Sequence, residues 1–356
     1  MINHVSLQNF VHFREFKYER LGQINVIIGE NDTGKTSLLK MLYATAKAWE
    51  EFTLLQLGNA EKPAFKQVFA RKLKDTFQPD SGKLGDLVTQ KQNERLKANF
   101  TFFDGDKNKQ DIDFRISRDE QDGLQDCKEN VKPCPDPDFR ALFVPAKEVL
   151  TALKAIRAVN ERLLMYGFDD TYLDLIKSLQ IESKKGNIAK NLVEINAALE
   201  ALFGGKIVQT KKGDFLFKKN NKSDFSMALT AEGVKKLGIL STLIRNRELR
   251  KGAILFMDEP EAVLHPKAIK VLAKTLFLLS ESGIQIFLST HSFFVIKELE
   301  IIARREKKSI PCCSLTQTPD GVTAVFSDLK AGMPSNPIVD VAVEMFNEEV
   351  ALAFSK

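Results

Sequence analysis

At 356 residues, 44% hydrophobic and 28% charged, the chain has the composition of a globular protein long enough to bury a large core in one elaborated domain or two. No apolar stretch reaches membrane-spanning length and Met1-Ile2-Asn3-His4-Val5 lacks the basic-then-apolar order of a secretory leader, which argues against a membrane or secreted protein and for the cytoplasm. The formal net charge of +5 favours an acidic partner without identifying one, while Cys127, Cys134, Cys312 and Cys313 fit neither zinc-ribbon spacing nor a disulfide framework and are expected to be reduced and structural.

The first element is Ile24-Asn25-Val26-Ile27-Ile28, an apolar run suited to a buried strand. It feeds Gly29-Glu30-Asn31-Asp32-Thr33-Gly34-Lys35-Thr36, which satisfies every fixed position of the phosphate-binding P-loop. A triphosphate needs several donors converging on it with no side chains in the way. Gly29 and Gly34 let the backbone curl so that successive N–H groups point into one concavity. The next residues carry Leu38, Leu39, Leu42, Tyr43 and Ala46 at helical spacing, so a helix aims its positive end at the same anion. The candidate nucleotide contacts are Gly29, Glu30, Asn31, Asp32, Thr33, Gly34, Lys35, Thr36 and Ser37. Lys35 places a cation on the β- and γ-phosphates, and Thr36 offers a hydroxyl to Mg²⁺. ATP and Mg²⁺ are the cofactors expected.

The middle of the chain carries less chemistry. Lys97 to Arg118 reads as a β-hairpin turning at Asp104-Gly105-Asp106, and residues 121–138, polar and rich in Asp and Pro, as a mobile loop. Ala141 to Glu148 ends another strand. From Lys147 to about Phe203 helical spacing dominates, with Leu150, Leu153, Ile156, Val159 and Leu163, then Leu192, Ile195, Leu199 and Leu202, and a helical lobe projecting from the body is expected. Gly167 and Gly186 interrupt the pattern well short of sustained heptads, which excludes a long coiled-coil arm. A second hairpin runs from Lys206 to Phe217. Basic clusters at Lys184-Lys185, Lys211-Lys212, Lys218-Lys219 and Arg304 to Lys308 fit solvated faces or, if they converge in space, a nucleic-acid groove. The 26 phenylalanines read as core and interface material.

The second half holds the remaining motifs. Thr230 and Gly233, in Leu229-Thr230-Ala231-Glu232-Gly233, precede a helix; a small hydroxyl and a glycine there suit either a helix cap or a second anion site. Ala253 to Met257 is a continuous apolar run of buried parallel-strand type that ends in Asp258-Glu259-Pro260, the pattern of a Walker B motif. Asp258 is the candidate Mg²⁺ ligand beside Thr36, and Glu259 the candidate acceptor of a proton from the attacking water. A helix over Lys267 to Ser280 and a strand over Ile284 to Ser289 follow, closed by Thr290 and His291. His291, at the end of a strand adjoining Walker B, is positioned to reach the γ-phosphate. The candidate catalytic set is Lys35, Glu259 and His291. An edge strand over Val322 to Phe326 and an amphipathic helix over Ile338 to Phe354, a docking element or a fold cap, complete the chain.

Together LQNFVHFREF, GENDTGKT, TAEGVKKLG, FMDEPEAVLHP and LSTHS resemble the AAA-type members of the ABC ATPase class, which includes RecF, SMC and Rad50 heads and the overcoming-lysogenization-defect (OLD) proteins, over about residues 1–48 and 225–300. The likeness is strongest to stand-alone OLD-like ATPases, many of them in bacterial anti-phage or toxin–antitoxin systems. The resemblance implies an α/β fold of ABC-ATPase type with a mixed core sheet, an antiparallel β subdomain and inserted helices. It implies one head over residues 1–356, with a core from 1–48 and 206–330, a β-rich insertion at 49–146, a helical lobe at 147–205 and a tail at 331–356. It also implies a homodimer or higher oligomer in which Thr230 and Gly233, as a degenerate signature motif, cover the nucleotide held by a second subunit. His265, in the stretch taking the place of the D-loop, would stand near that interface or simply start a helix before Pro266. No Q-loop glutamine is placed in Ala141 to Glu148. The stretch after His291 is too short for the Toprim domain of OLD nucleases, so an effector is expected on a separate polypeptide. The alternatives are a DNA-repair or DNA-clamp ATPase, with DNA as partner, and, least favoured, the energising subunit of a transporter.

Overall fold

The computed structural model describes residues 1–58, 62–89, 94–103, 109–121, 123–124, 126–128, 130–159, 167–181, 188–220 and 224–354. The hairpin Ile2–Phe10 (β1) and Phe13–Tyr18 (β2) leads into Ile24–Gly29 (β3) and the long helix Lys35–Leu57 (α1). Phe65–Phe77 (α2) follows, then Leu96–Phe103 (β4), Lys109–Ile116 (β5) and the short Asp126–Cys127 (β6). These strands form one antiparallel sheet in the order β2-β1-β4-β5-β6, so the expected hairpin pairs with the N-terminal strands.

The central sheet is drawn from the whole chain. After Ala141–Val144 (β7) come the helices Leu153–Arg157 (α3), Asp170–Gln180 (α4) and Lys190–Phe203 (α5), then a small sheet of Gly205–Gln209 (β8), Phe215–Lys219 (β9) and Asp224–Ser226 (β10). Glu232–Arg245 (α6), Ile254–Asp258 (β11), Pro266–Glu281 (α7), Gln285–Thr290 (β12), Phe293–Arg305 (α8), Pro311–Thr318 (β13), Gly321–Asp328 (β14) and Pro337–Phe354 (α9) complete the order. The sheet runs β14-β13-β3-β12-β11-β7, parallel throughout except for β14, which pairs antiparallel at the edge.

Side-chain alternation divides the core into two layers, because successive strand residues point to opposite faces. Ile27, Phe143, Phe256 and Phe287 face the antiparallel sheet, α1 and α2. Val26, Ile28, Leu142, Val144, Leu255, Met257, Ile286 and Leu288 face α4 to α8. A purely parallel interior must be covered on both sides, and this explains the continuous apolar runs read at β3, β11 and β12.

Two expectations are corrected. The inserted helices do not stand apart: Leu175, Ile176 and Leu179 of α4 and Leu192, Ile195 and Leu199 of α5 join the core on the central sheet. An apolar stripe at helical spacing has to be covered, and here the head itself covers it. The stretch 121–138 is not a free loop among its described residues. Leu124, Cys127, Val131 and Cys134 are buried, the Trp49 indole donates to the Lys132 carbonyl at 2.8 Å, and the Cys134 amide donates to Thr53 Oγ1 at 2.8 Å. Asp104-Gly105-Asp106, Leu163, Lys184-Lys185 and Gly186 lie outside the described residues. All four cysteines are buried and none is in a disulfide, and burial pushes the Cys127 thiol up to about 11 and Cys312 up to about 12. Among the described residues no helix is long and apolar enough to cross a membrane. In α9, by contrast, Met345, Phe346, Leu352 and Phe354 are exposed, and only Val339 is buried.

Candidate nucleotide-binding site

The C-terminal ends of β3, β11 and β12 meet at the first turn of α1. Gly34, at φ 78°, is the N-cap of α1, and a Cβ added there would lie 2.9 Å from the Phe13 ring. At Gly29 a Cβ would come within 2.6 Å of the Leu315 carbonyl oxygen. Both glycines therefore answer to space as well as to curvature. The loop encloses a cleft of about 270 Å³ lined by Asn31 to Ser37, His12 and Glu259. The first amides of a helix have no partner within it, so those of Lys35, Thr36 and Ser37 are donors turned to this cleft. Thr33 is fully buried, and its hydroxyl donates to the Glu30 carbonyl at 2.8 Å, bracing the loop from behind. The Lys35 ammonium donates to the Gly29 and Glu30 carbonyls at 2.9 and 2.7 Å. Burial lowers its pKa, opposed by Glu259, Asp258, Glu261 and Glu30.

Beside the loop, the Thr36 hydroxyl reaches both Asp258 oxygens, at 3.1 and 2.9 Å. A hydroxyl and a carboxylate in contact, on different elements, are the hard oxygen donors that suit Mg²⁺, which takes few protein ligands when substrate phosphates supply others. The Ser289 hydroxyl donates to Asp258 Oδ1 and orients the carboxylate. Glu259 follows in a left-handed conformation, φ 43°, and its Oε1 lies 2.9 Å from His291 Nδ1. Glu259 and His291 are thus brought together at the mouth of the P-loop cleft. Next to them Glu261 is buried, accepts from the Thr290 hydroxyl at 2.5 Å, and has its carboxyl pKa raised by burial.

Thr230 and Gly233 do not line this cleft. Helix α6 starts at Glu232 with Ala231 as its uncapped N-cap residue, and the Thr230 hydroxyl donates instead to the Ser226 carbonyl at 2.9 Å. The helix-cap role for Thr230 is therefore replaced by a turn closure. A Cβ on Gly233 would lie 3.2 Å from Leu264 Cδ2, so the signature-position helix rests on the Ala262 to His265 stretch. Leu229 and Val263 are exposed there, at 78% and 69%, and Val263 sits at φ 66°, a strained value for a β-branched residue. His265 caps α7, its Nδ1 accepting from the Lys267 amide at 3.2 Å. Three residues of the site escape the sequence reading: His12, Ser289 and Lys236, whose ammonium donates to the Glu259 carbonyl at 2.9 Å. All three stand inside motif strings, but only the fold shows that His12 faces the cleft, Ser289 the Walker B carboxylate and Lys236 the Glu259 carbonyl.

Residues 24–297 match the protein family described as AAA domain, putative AbiEii toxin, Type IV TA system. The chain belongs to that family. This AAA-domain protein is 50% identical over 48 residues to the Old nuclease of Escherichia phage P2, a stretch that makes up 13% of the chain and 8% of that nuclease. It is 44% identical over 54 residues to the uncharacterized protein MJECL10 of Methanocaldococcus jannaschii, covering 15% of this chain and 25% of that one. The matched stretches thus span a quarter or less of these curated relatives. Among solved structures, the Smc head domain with an extended coiled coil, bound to the C-terminal domain of ScpA, from Pyrococcus furiosus superposes over 98% of both chains with a TM-score of 0.55 and 13% identity. An SmcHead bound to the C-winged helix domain of ScpA covers 93% of this AAA-domain chain and 99% of its own, with a TM-score of 0.52 and 13% identity. At such identities the likeness establishes the fold alone, that of an Smc-type head.

Proposed function

We propose that this chain is an ATP hydrolase that closes head to head with a second copy around ATP and thereby controls a separately encoded effector, in phage defence. The observation that carries the proposal is the meeting of Thr36 with Asp258 and of Glu259 with His291 at the edge of the P-loop cleft. The loop amides and Lys35 hold the β- and γ-phosphates, and Lys35 exchanges its carbonyl partners for phosphate oxygens. Thr36 and Asp258 hold Mg²⁺, whose charge offsets that of the phosphates. Glu259 accepts the proton of the attacking water, and His291, in contact with that carboxylate, reads the γ-phosphate. The exposed Leu229 and Val263, beside Thr230, Gly233 and His265, form the face offered to the second copy. Membership of a family described by a toxin–antitoxin type, together with the short match to the Old nuclease, supports the defence setting. A DNA-repair or DNA-clamp ATPase is the second reading, supported by the Smc-head fold; steeply salt-dependent DNA binding would favour it.

Replacing Lys35 with Ala tests the nucleotide assignment. The variant is expected to lose ATP affinity by about 100-fold, in line with removal of a charge-assisted contact made in a partly desolvated site. Equilibrium titration with a fluorescent ATP analogue checks it, and undiminished affinity would place the nucleotide elsewhere.

A further inference from the structure

Helix α6 buries two consecutive lysines, Lys235 and Lys236, 3% and 6% exposed. They do different things. Lys235 donates to Thr151 Oγ1 at 2.9 Å and to Glu232 Oε1 at 2.6 Å. Lys236 reaches no carboxylate within bonding distance among its described contacts. Its ammonium donates to two backbone carbonyls, that of Ala146 at 2.7 Å and that of Glu259 at 2.9 Å. Ala146 follows β7 and Glu259 follows β11, and these strands are parallel neighbours, so one cation bridges two adjacent strand ends. Burial lowers the Lys236 pKa, and Glu261, Asp258 and Glu259 act against that by favouring its charged form.

The Glu259 peptide needs a clamp. Its φ of 43° is one that a non-glycine residue holds only when its surroundings impose it. The amide donates to the Ser289 carbonyl at 3.1 Å and lies 3.2 Å from the Ser289 hydroxyl. The side chain meets His291, and the carbonyl is taken by Lys236. Rotation of that peptide toward negative φ would swing the carboxylate away from the P-loop cleft.

We propose that Lys236 is a positioning residue that holds Glu259 in its working conformation and ties it to the segment leading into the inserted helices. The proposal rests on the reading of Glu259 as proton acceptor. Because Ala146 begins that segment, a displacement of the inserted helices acts on the same ammonium that fixes the glutamate.

The test compares kcat for ATP hydrolysis and Kd for a non-hydrolysable ATP analogue in the full chain and in Lys236→Met, Lys235→Met and Glu259→Gln. Lys236→Met is expected to lower kcat by about 10- to 100-fold, the scale of a small misplacement of a catalytic group, with Kd within about threefold. Lys235→Met removes an equally buried lysine from the same helix but touches nothing at Glu259, and is expected to keep both values within about threefold. Lys236→Ala, which removes the donor without adding a long apolar side chain, gives the same split if the methionine variant folds poorly. Equal losses at both lysines, or a loss in Kd with kcat unchanged, would overturn the positioning role. Unchanged kcat in the Lys236 variants beside an inactive Glu259→Gln would overturn it while leaving the reading of Glu259 in place. Full turnover in Glu259→Gln would instead remove that reading.

Discussion

Glu259→Gln is expected to keep its ATP and lose turnover by about 10²- to 10⁴-fold, the usual contribution of a positioned general base. The amide is isosteric with the carboxylate and keeps a polar partner for His291 Nδ1, which lies 2.9 Å away. What it lacks is a site to accept a proton. Asp258, the neighbour that meets Thr36, is untouched, so phosphate and Mg²⁺ contacts persist. Phosphate release under saturating ATP, together with direct nucleotide titration, separates the two effects. Turnover within threefold of the unaltered chain would take Glu259 out of the reaction.

Lys72→Met is expected to destabilise the fold by about 3–5 kcal/mol, because it removes the cation from a buried cluster of carboxylates. The Lys72 side chain is 3% exposed, and its ammonium contacts Glu51 at 2.6 Å, Asp170 at 2.6 Å and Asp174 at 2.9 Å. Burial alone would lower its pKa, but Asp174, Glu51 and Asp170 outweigh burial and raise it. Burial alone would raise Asp174, but Lys72, Lys47 and the Tyr43 hydroxyl hold it well below the usual carboxylate range. The signs follow. The depressed Asp174 stabilises the fold above its unfolded pKa, and that share is lost as pH falls through its folded pKa. The raised Lys72 stabilises below its unfolded pKa, and that share is lost only as pH rises through its folded pKa. At neutral pH both are present. The gap between Lys72→Met and the unaltered chain should therefore be widest near neutrality and narrow below about pH 4, where the orphaned carboxylates take up protons. Urea denaturation at pH 7 and pH 4 measures it; a gap below 1 kcal/mol at pH 7 would contradict the cluster's role. The cluster matters to the site because Tyr43 and Lys40 of the P-loop helix are bound to Asp174 and Asp169 at the start of α4.

The parts of the site legible in the sequence are those whose chemistry demands a local backbone. Gly29 and Gly34 cannot carry a Cβ, and Asp258 and Glu259 close an apolar run suited to a buried strand, so each announces itself within a few residues. The charged interior did not. Lys72, Lys235 and Lys236 sit on helices, where a lysine reads as a solvated face, and only long-range packing brings Asp170, Thr151 or the Glu259 carbonyl to them. Thr230 misled for a related reason: a hydroxyl before a helix fits a cap, yet the turn from Ser226 captures it first. The stretch 121–138 looked free because its polarity conceals four buried apolar side chains, and its anchors, Trp49 and Thr53, lie far back on α1.

ATP is expected to close two heads on one another. The most direct test is the solution mass of Glu259→Gln by light scattering, with and without ATP and Mg²⁺. A monomer that doubles its mass only when both are present is the predicted result, with Leu229→Asp abolishing the doubling while ATP still binds. A mass unchanged by bound ATP would contradict the head-to-head arrangement and remove the trans roles given to Thr230, Gly233 and His265.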